Sequence, residues 1–134
     1  MKAKYLAATL FLMIAACKKE TGNLLSGLQG TWELRSADGA WIGHQEYAPG
    51  NGNTYSFSGN TYEQQIKSTD TTYEYSGTFE IYEGKPCDFA TKQTLIEFDD
   101  DHFPNSFSLS GGELTIGTTE CIVDGGSSTY RKIH

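Results

Sequence analysis

Alternation of apolar and polar side chains over residues 72–82 is the feature that most constrains the fold. A two-residue period is typical of a β-strand with one buried face, because successive side chains point to opposite sides. Gly77 in the middle is a natural bend point in a strand of this length. The pattern therefore predicts a long β-strand whose inward positions are Tyr73, Tyr75, Gly77, Phe79 and Ile81.

Shorter segments repeat this alternation through the rest of the chain, and no stretch after Cys17 sustains a helical period. Turn signals such as Ser110-Gly111-Gly112 separate them. We therefore expect an all-β domain, an antiparallel meander of about eight strands. Closure into a small barrel is its most stable form, because it removes the unpaired edges. The other predicted strands are Thr31–Arg35, Thr54–Phe57, Thr61–Lys67, Thr94–Asp99, Ser106–Ser110, Glu113–Gly117 and Ser128–Ile133.

Two segments lack the alternation. Asp38–Gly52 is rich in glycine and polar residues, and we expect a long loop in which Trp41 and Tyr47 pack on the barrel. Gly84–Lys92 contains a proline and a cysteine and is predicted to be a second irregular connection.

The N-terminus has the pattern of a secretory signal peptide. Two lysines precede an apolar run over residues 5–14, which is too short to span a bilayer as a permanent helix. The segment Ile14-Ala15-Ala16-Cys17 resembles the lipobox of bacterial lipoproteins, in which the cysteine is acylated and becomes the mature N-terminus. An ordinary signal peptide with an incidental cysteine is the alternative. The expected organisation is a signal-peptide helix over 1–16, a lipidated N-terminus and tether over 17–27, and a barrel over 28–134.

The lipobox also predicts where the protein resides. Several acyl chains on Cys17 would hold the protein stably on a membrane, at about 0.8 kcal/mol per buried CH₂. In Gram-negative lipoproteins an aspartate after the cysteine marks retention in the inner membrane. Lys18 occupies that position here, so we expect the outer membrane.

The charge of the mature chain excludes one class of partner. Removal of residues 1–16 from 134 leaves 118 residues, enough for one domain with a core. The signal peptide takes two of the ten basic residues with it, so eight remain against seventeen acidic ones, a formal charge of −9. Nucleic-acid phosphates require a basic surface, so we expect no nucleic-acid binding.

Cys87 and Cys121 would be the only thiols left after lipidation of Cys17. An exported chain with two cysteines permits a single intramolecular disulfide, and two free thiols are the alternative. The bridge would span 121 − 87 = 34 residues. On the chain-entropy model it would stabilise the fold by about 3–4 kcal/mol. We expect it to tie Gly84–Lys92 to the segment 121–126.

Gly30-Thr31-Trp32 on the first strand, with Arg131 on the last, resembles the signature of lipocalins and other calycins. The resemblance implies that Arg131 stacks on Trp32 through a cation–π contact and closes one end of the barrel. With the tyrosine-rich segment 55–62 and Ser76-Gly77-Thr78-Phe79, the chain is similar to the lipocalin-like lipoproteins of Gram-negative bacteria over residues 28–133. It is shorter than the larger lipocalins.

No catalytic or phosphate-binding motif is present in the sequence, so we expect neither enzymatic activity nor a cofactor. Asp99-Asp100-Asp101-His102 could gather two carboxylates around Ca²⁺ if it formed a turn. A solvated hairpin tip without metal is the preferred interpretation. Glu97 and Asp99 could share a face like a glycosidase pair, but such neighbours on an outer face usually point to solvent.

The leading hypothesis is a membrane-tethered binding module that holds a small apolar or amphipathic molecule at the open end of the barrel. Tyrosine suits such a site, because its ring packs on an apolar ligand while its hydroxyl bonds the polar end. One alternative is an interaction or inhibitor module, a solid barrel that presents Asp38–Gly52 and Gly84–Lys92 to an envelope protein or a secreted hydrolase. Another is a structural envelope component. Alternation predicts that a cavity for the ligand would be lined by Tyr62, Ile66, Tyr73, Tyr75, Phe79, Ile81, Ile96 and Phe98.

Overall fold

The computed structural model describes residues 22–101 and 103–134. The predicted signal peptide and Cys17 lie outside the described residues. A short helix, α1, covers residues 22–28, in the segment predicted as a tether. None of the helical structure described is long and apolar enough to cross a membrane. The strands are β1 (Gly30–Gly39), β2 (Gly43–Glu46), β3 (Thr54–Ser58), β4 (Thr61–Lys67), β5 (Thr72–Gly84), β6 (Gln93–Phe98), β7 (Asn105–Ser110), β8 (Glu113–Gly117) and β9 (Gly126–Lys132).

Eight of these strands close into a barrel. The sheet order is β2-β1-β3-β4-β5-β6-β7-β8-β9, every neighbouring pair is antiparallel, and β1 also pairs with β9. The barrel therefore consists of β1 and β3–β9, with β2 as an additional strand. This confirms the predicted all-β class and the antiparallel meander.

Strand β2 corrects the prediction of a continuous loop over Asp38–Gly52. β1 has two edges, and β9 occupies one of them along residues 32–39. The other edge is shared: residues 30–33 pair with β3, and residues 36–39 pair with β2. All four residues of β2 are exposed, so no apolar alternation marks it as a strand.

The loop between β2 and β3 folds over the outer face of β1. The buried carboxylate of Glu33 accepts hydrogen bonds from the backbone N–H groups of Gly50 at 2.8 Å and Gly52 at 3.3 Å. Arg35 pairs with it at 2.6 Å. The Gly50 N–H, despite the opposing effect of burial, holds the pKa of Glu33 below its usual value, with help from Arg35 and Gly52. Glu33 therefore fixes this loop on the barrel.

The core occupies the barrel interior and reaches α1. Leu28 of the helix is fully buried, and its carbonyl oxygen accepts a hydrogen bond from the indole N–H of Trp32 at 2.7 Å. Inward side chains of the closing strands complete the cluster, as alternation predicts. The other members are Tyr55, Phe57, Tyr62, Phe79, Ile96, Phe98, Phe107, Leu114, Ile116 and Tyr130.

One end of the barrel, here called the closed end, is sealed by α1, the β3–β4 turn and the C-terminus. Gln29 donates to the carbonyl oxygen of Gly59 and accepts from its N–H, so the segment after α1 is bound to that turn. The Thr31 N–H donates to the carbonyl oxygen of His134 at 3.0 Å. At the opposite end, the open end, lie the β1–β2 turn (residues 40–42), the β4–β5 turn (68–71) and the β8–β9 loop (118–125).

Cys87 and Cys121 form a disulfide, which confirms the predicted pairing. It joins the irregular segment between β5 and β6 to the β8–β9 loop. Glu120 strengthens the same junction, because its carboxylate accepts from the Thr91 N–H at 3.0 Å and from the Gln93 side chain at 3.1 Å. The irregular connection predicted over Gly84–Lys92 is also confirmed for residues 85–92.

Candidate ligand-binding site

A cleft of about 490 Å³ opens at the open end of the barrel. Its outer wall is formed by the end of β1, the β1–β2 turn and the residues around the start of β9. Its inner part is lined by inward side chains of several strands, among them Tyr55, Gln64, Asn105, Ile116 and Tyr130. The interior of the barrel is therefore filled towards the closed end and accessible from the open end.

A smaller hollow of about 220 Å³, which we call the aromatic cup, lies beside this cleft. The cleft and the cup share two lining residues, Tyr55 and Gln64. The cup combines aromatic rings with two carboxylates from the loop after β6. It is lined by Tyr55, Tyr62, Gln64, Ile66, Tyr75, Phe98, Asp100 and Asp101.

Three of the rings in the cup pack on one another. The centroids of Tyr55 and Phe98 are 5.6 Å apart in a stacked arrangement. Tyr62 meets Phe98 edge-on at 4.7 Å. These are the separations at which aromatic pairs stabilise each other, so the floor of the cup is preorganised. Tyr130 joins the group from β9, edge-on to Tyr55 at 5.4 Å.

The cup has a negative electrostatic character. The hydroxyl of Tyr62 donates to Asp100 at 2.9 Å, and the side-chain amide of Asn105 donates to Asp101 at 3.0 Å. Burial raises the pKa of Tyr62, and the hydrogen bond and charge of Asp100 raise it further. Burial also raises the pKa of Tyr55, with Tyr130 and the carboxylate of Asp101 contributing in the same direction. Burial raises the pKa of Tyr130 to about 12. Tyr55, Tyr62 and Tyr130 are therefore neutral at ordinary pH.

The structure separates the predicted lining residues into three groups. Tyr62, Ile66, Tyr75 and Phe98 line the cup. Tyr73 shares a strand face with Tyr75 but lines neither the cup nor the cleft, and it is 50% exposed. The remaining residues pack in the core nearer the closed end and line neither space: Phe79, Ile81 and Ile96.

Sequence reasoning missed several residues of the site. Tyr55 and Tyr130 lie on strands whose alternation was recognisable, so the same period could have nominated them. Gln64 is inward because it pairs with Tyr75 across β4 and β5, although its polar side chain gave no signal of an inner face. Asp100 and Asp101 come from a loop, whose position alternation does not predict.

The predicted closing pair is wrong by one residue. Trp32 pairs with Lys132, whose ammonium lies 5.6 Å from the indole centroid. Arg131 pairs with Glu33 instead, and because alternate side chains point to opposite faces, it lies outside the barrel. There its guanidinium contacts Glu113 at 3.0 Å. A cation–π contact does exist at the closed end, but lysine supplies it.

The rim of the open end exposes apolar side chains. Trp41 and Ile42 in the β1–β2 turn are 84% and 60% exposed, so the expectation that Trp41 packs on the barrel is wrong. Val123 in the β8–β9 loop is also highly exposed. Tyr47 is partly buried and follows the prediction.

The acidic segment after β6 does not assemble a metal site in the described part of the chain. Within residues 22–101 and 103–134, no three His, Cys, Asp or Glu side chains converge as metal ligands. The carboxylate of Asp99 lies over Gly77, which has no side chain to obstruct it. Asp100 and Asp101 bind Tyr62 and Asn105 as described above. His102 lies outside the described residues.

The closed eight-stranded barrel is consistent with the resemblance to lipocalins. However, no protein-family model matches this chain, and no curated protein or solved structure is detectably similar to it.

Proposed function

We propose that this protein is a membrane-tethered binding module whose barrel holds a small apolar or amphipathic molecule at its open end. One observation carries the proposal: the interior is filled near the closed end, whereas aromatic and amide side chains line the spaces near the open end. Those spaces measure about 490 and 220 Å³. The cleft lies within the range typical of small-molecule sites, about 300–1,000 Å³, and the smaller cup adjoins it through Tyr55 and Gln64.

The proposed membrane anchor is acylated Cys17, in the outer membrane. Only four residues separate Cys17 from the first described residue, Gly22, and an extended chain spans at most about 3.3–3.6 Å per residue. The chain enters the barrel through α1 at the closed end. A lipid anchor at Cys17 would therefore leave the open end facing away from the membrane and accessible to ligands.

Metabolic labelling with a fatty acid tests the anchor. Labelling of the wild type that is lost in Cys17→Ser is the expected result. Label that persists in Cys17→Ser would contradict the assignment of this residue.

Ligand binding is tested by titrating the delipidated domain with fatty acids, sterols and related amphiphiles. The fluorescence of Trp41, which lines the cleft, should respond to occupancy, whereas Trp32 is buried at the closed end. Saturable binding is expected in the wild type. A Trp41→Phe variant assigns the signal, with calorimetry as the second readout.

Tyr75 and Tyr73 offer a matched pair of variants. They lie on the same face of β5 and are 46% and 50% exposed, but only Tyr75 lines the cup. Tyr75→Ala should weaken binding, and Tyr73→Ala should leave it unchanged, with both variants folded. Equal effects of the two substitutions, or no binding across the panel, would contradict the proposal.

The second candidate function is an interaction module, favoured by the exposed apolar side chains of the loops. Trp41, Ile42 and Phe89 lie in the two segments predicted to present such a surface and are all strongly exposed. An envelope protein that binds the barrel through these loops would be released by Trp41→Ser with Ile42→Ser. Crosslinking in the native envelope distinguishes the two functions, because a small-molecule module needs no protein partner at these positions.

A further inference from the structure

We propose that the molecule held in the aromatic cup is an organic cation, such as an alkylammonium compound, rather than an anionic amphiphile such as a fatty acid. This inference rests on the proposed function and specifies its ligand class. It is carried by the composition of the cup, in which three tyrosines and one phenylalanine accompany two carboxylates.

The charges around both spaces have one sign. Among the described residues that line the cup or the cleft, the charged ones are Asp38, Asp100, Asp101 and Asp124, and none is lysine, arginine or histidine. A carboxylate-headed ligand would enter without a cationic partner and close to like charges, at an energetic cost. A cation entering the cup would be attracted.

The aromatic rings supply a second attraction for a cation. A ring carries negative charge on its face, and a cation within about 6 Å of the centroid is stabilised. Tyr55, Tyr62, Tyr75 and Phe98 line the same hollow of about 220 Å³, so one ligand could contact several rings. Rings grouped around a small space are the arrangement that recognises alkylated ammonium groups.

The carboxylates are placed to complete the site. Asp100 is held by the Tyr62 hydroxyl and Asp101 by Asn105, and both are exposed at the lip of the cup. Within the described residues, each carboxylate has a second oxygen that accepts no hydrogen bond. The raised pKa of Tyr62 has Asp100 among its causes after burial, so the same negative field acts inside the cup.

Three probes with the same alkyl chain test the charge preference: hexyltrimethylammonium, 1-hexanol and hexanoate, titrated into the delipidated domain by calorimetry at fixed ionic strength. The expected affinity order is hexyltrimethylammonium, then 1-hexanol, then hexanoate. Equal binding of the cation and the alcohol, or a preference for hexanoate, would overturn the cation proposal and leave the binding function standing. Binding of none of the three would overturn the cation proposal, and the binding function would fall with it only if the fatty acids and sterols also failed to bind.

Two variants locate the site against matched controls. Asp100→Asn should weaken hexyltrimethylammonium binding about fivefold and leave 1-hexanol unchanged, because a nearby unit charge is removed while an acceptor for Tyr62 remains. Asp88→Asn makes the same change of net charge on the exposed loop between β5 and β6, away from the cup, and should have no effect. Equal effects of the two variants would show that the preference reflects overall charge, and would overturn the site.

Tyr75→Leu separates the aromatic contribution from simple apolar contact. Leucine retains apolar surface but has no ring, so cation binding should fall about twofold to fivefold while 1-hexanol binding is retained. Tyr73→Leu is the control on the same strand face. A loss of both probes in parallel in Tyr75→Leu would contradict a cation–π contribution.

Discussion

The two ends of this barrel are built from the same strands but differ in how their interiors are filled. At the closed end Leu28 and Trp32 are 0% and 1% exposed, and α1 and the C-terminus cover the strands. At the open end Trp41 is 84% exposed, and the inward tyrosines border open space. The same face of a strand therefore forms core at one level of this barrel and borders open space at another.

The largest expected effect distinguishes the two tryptophans. Trp32→Ala should reduce the free energy of unfolding by about 3–5 kcal/mol, because it leaves a cavity in the filled end. Trp41→Ala should change it by less than about 0.5 kcal/mol, as is usual for exposed positions. Urea unfolding followed by circular dichroism measures both variants. Similar losses in the two variants would contradict the division into a filled and an open end.

Removal of the disulfide is the next largest perturbation. Cys87→Ser with Cys121→Ser should cost about 3–4 kcal/mol of unfolding free energy, because the unfolded chain is no longer cross-linked. The β8–β9 loop at the open end should lose amide-exchange protection more than α1 does. Thiol counting on the denatured, unreduced wild type should find both cysteines oxidised, and two free thiols would refute the bridge.

Substitution of Glu33 tests whether its carboxylate holds the loop between β2 and β3 on the barrel. Glu33→Gln should cost about 1–3 kcal/mol near neutral pH, because the backbone N–H groups of Gly50 and Gly52 and the side chain of Arg35 lose a charged acceptor. The folded pKa lies below the usual 4.5. This stabilisation is therefore fully present above about pH 4.5 and is lost as the pH falls through the folded pKa.

The variant should accordingly lose part of the acid dependence of the wild type. Unfolding free energies compared between pH 7 and pH 3 measure this difference. An unchanged pH profile would exclude Glu33 as the fastening group.

The smallest effect resolves which cation contacts Trp32. In double-mutant cycles Lys132→Met should couple to Trp32→Phe by about 0.5–1 kcal/mol. Arg131→Met should instead couple to Glu113→Gln, by about 0.2–1 kcal/mol for an exposed ion pair. Coupling between Arg131 and Trp32 would restore the arrangement that the lipocalin resemblance implied.

Alternation, together with turn signals, was sufficient to predict the eight barrel strands, because the core face of most of them carries apolar residues at period two. It failed for β2, whose exposed residues have no core face. The lipocalin resemblance, not alternation, placed Arg131 against Trp32, whereas the register turns its neighbours Tyr130 and Lys132 to that face. A signature residue near the end of the chain does not fix the register of β9 on β1. A shift of one residue moves each side chain of a strand to the opposite face.

The candidate site was predicted only in part, for a related reason. Period two distinguishes inward from outward side chains, but it gives no information on depth along the barrel axis. Tyr62 and Phe79 are both inward and buried, yet only Tyr62 reaches the cup. The position of a side chain along the barrel axis depends on strand tilt and on the helix that fills the closed end. Asp100 lies in a loop, so the alternation of a strand does not predict its position.

Amide chemical shifts of the ¹⁵N-labelled delipidated domain, recorded while hexyltrimethylammonium is added, show directly whether a ligand binds at the open end. Saturable shifts should cluster around the cup, at Gln64, Tyr75 and Asp100. They should be absent at Gly30 and Gly59 of the closed end and at Gly111 in the turn between β7 and β8. Shifts that are confined to the closed end, or that increase linearly over the whole surface without saturation, would contradict a ligand site at the open end.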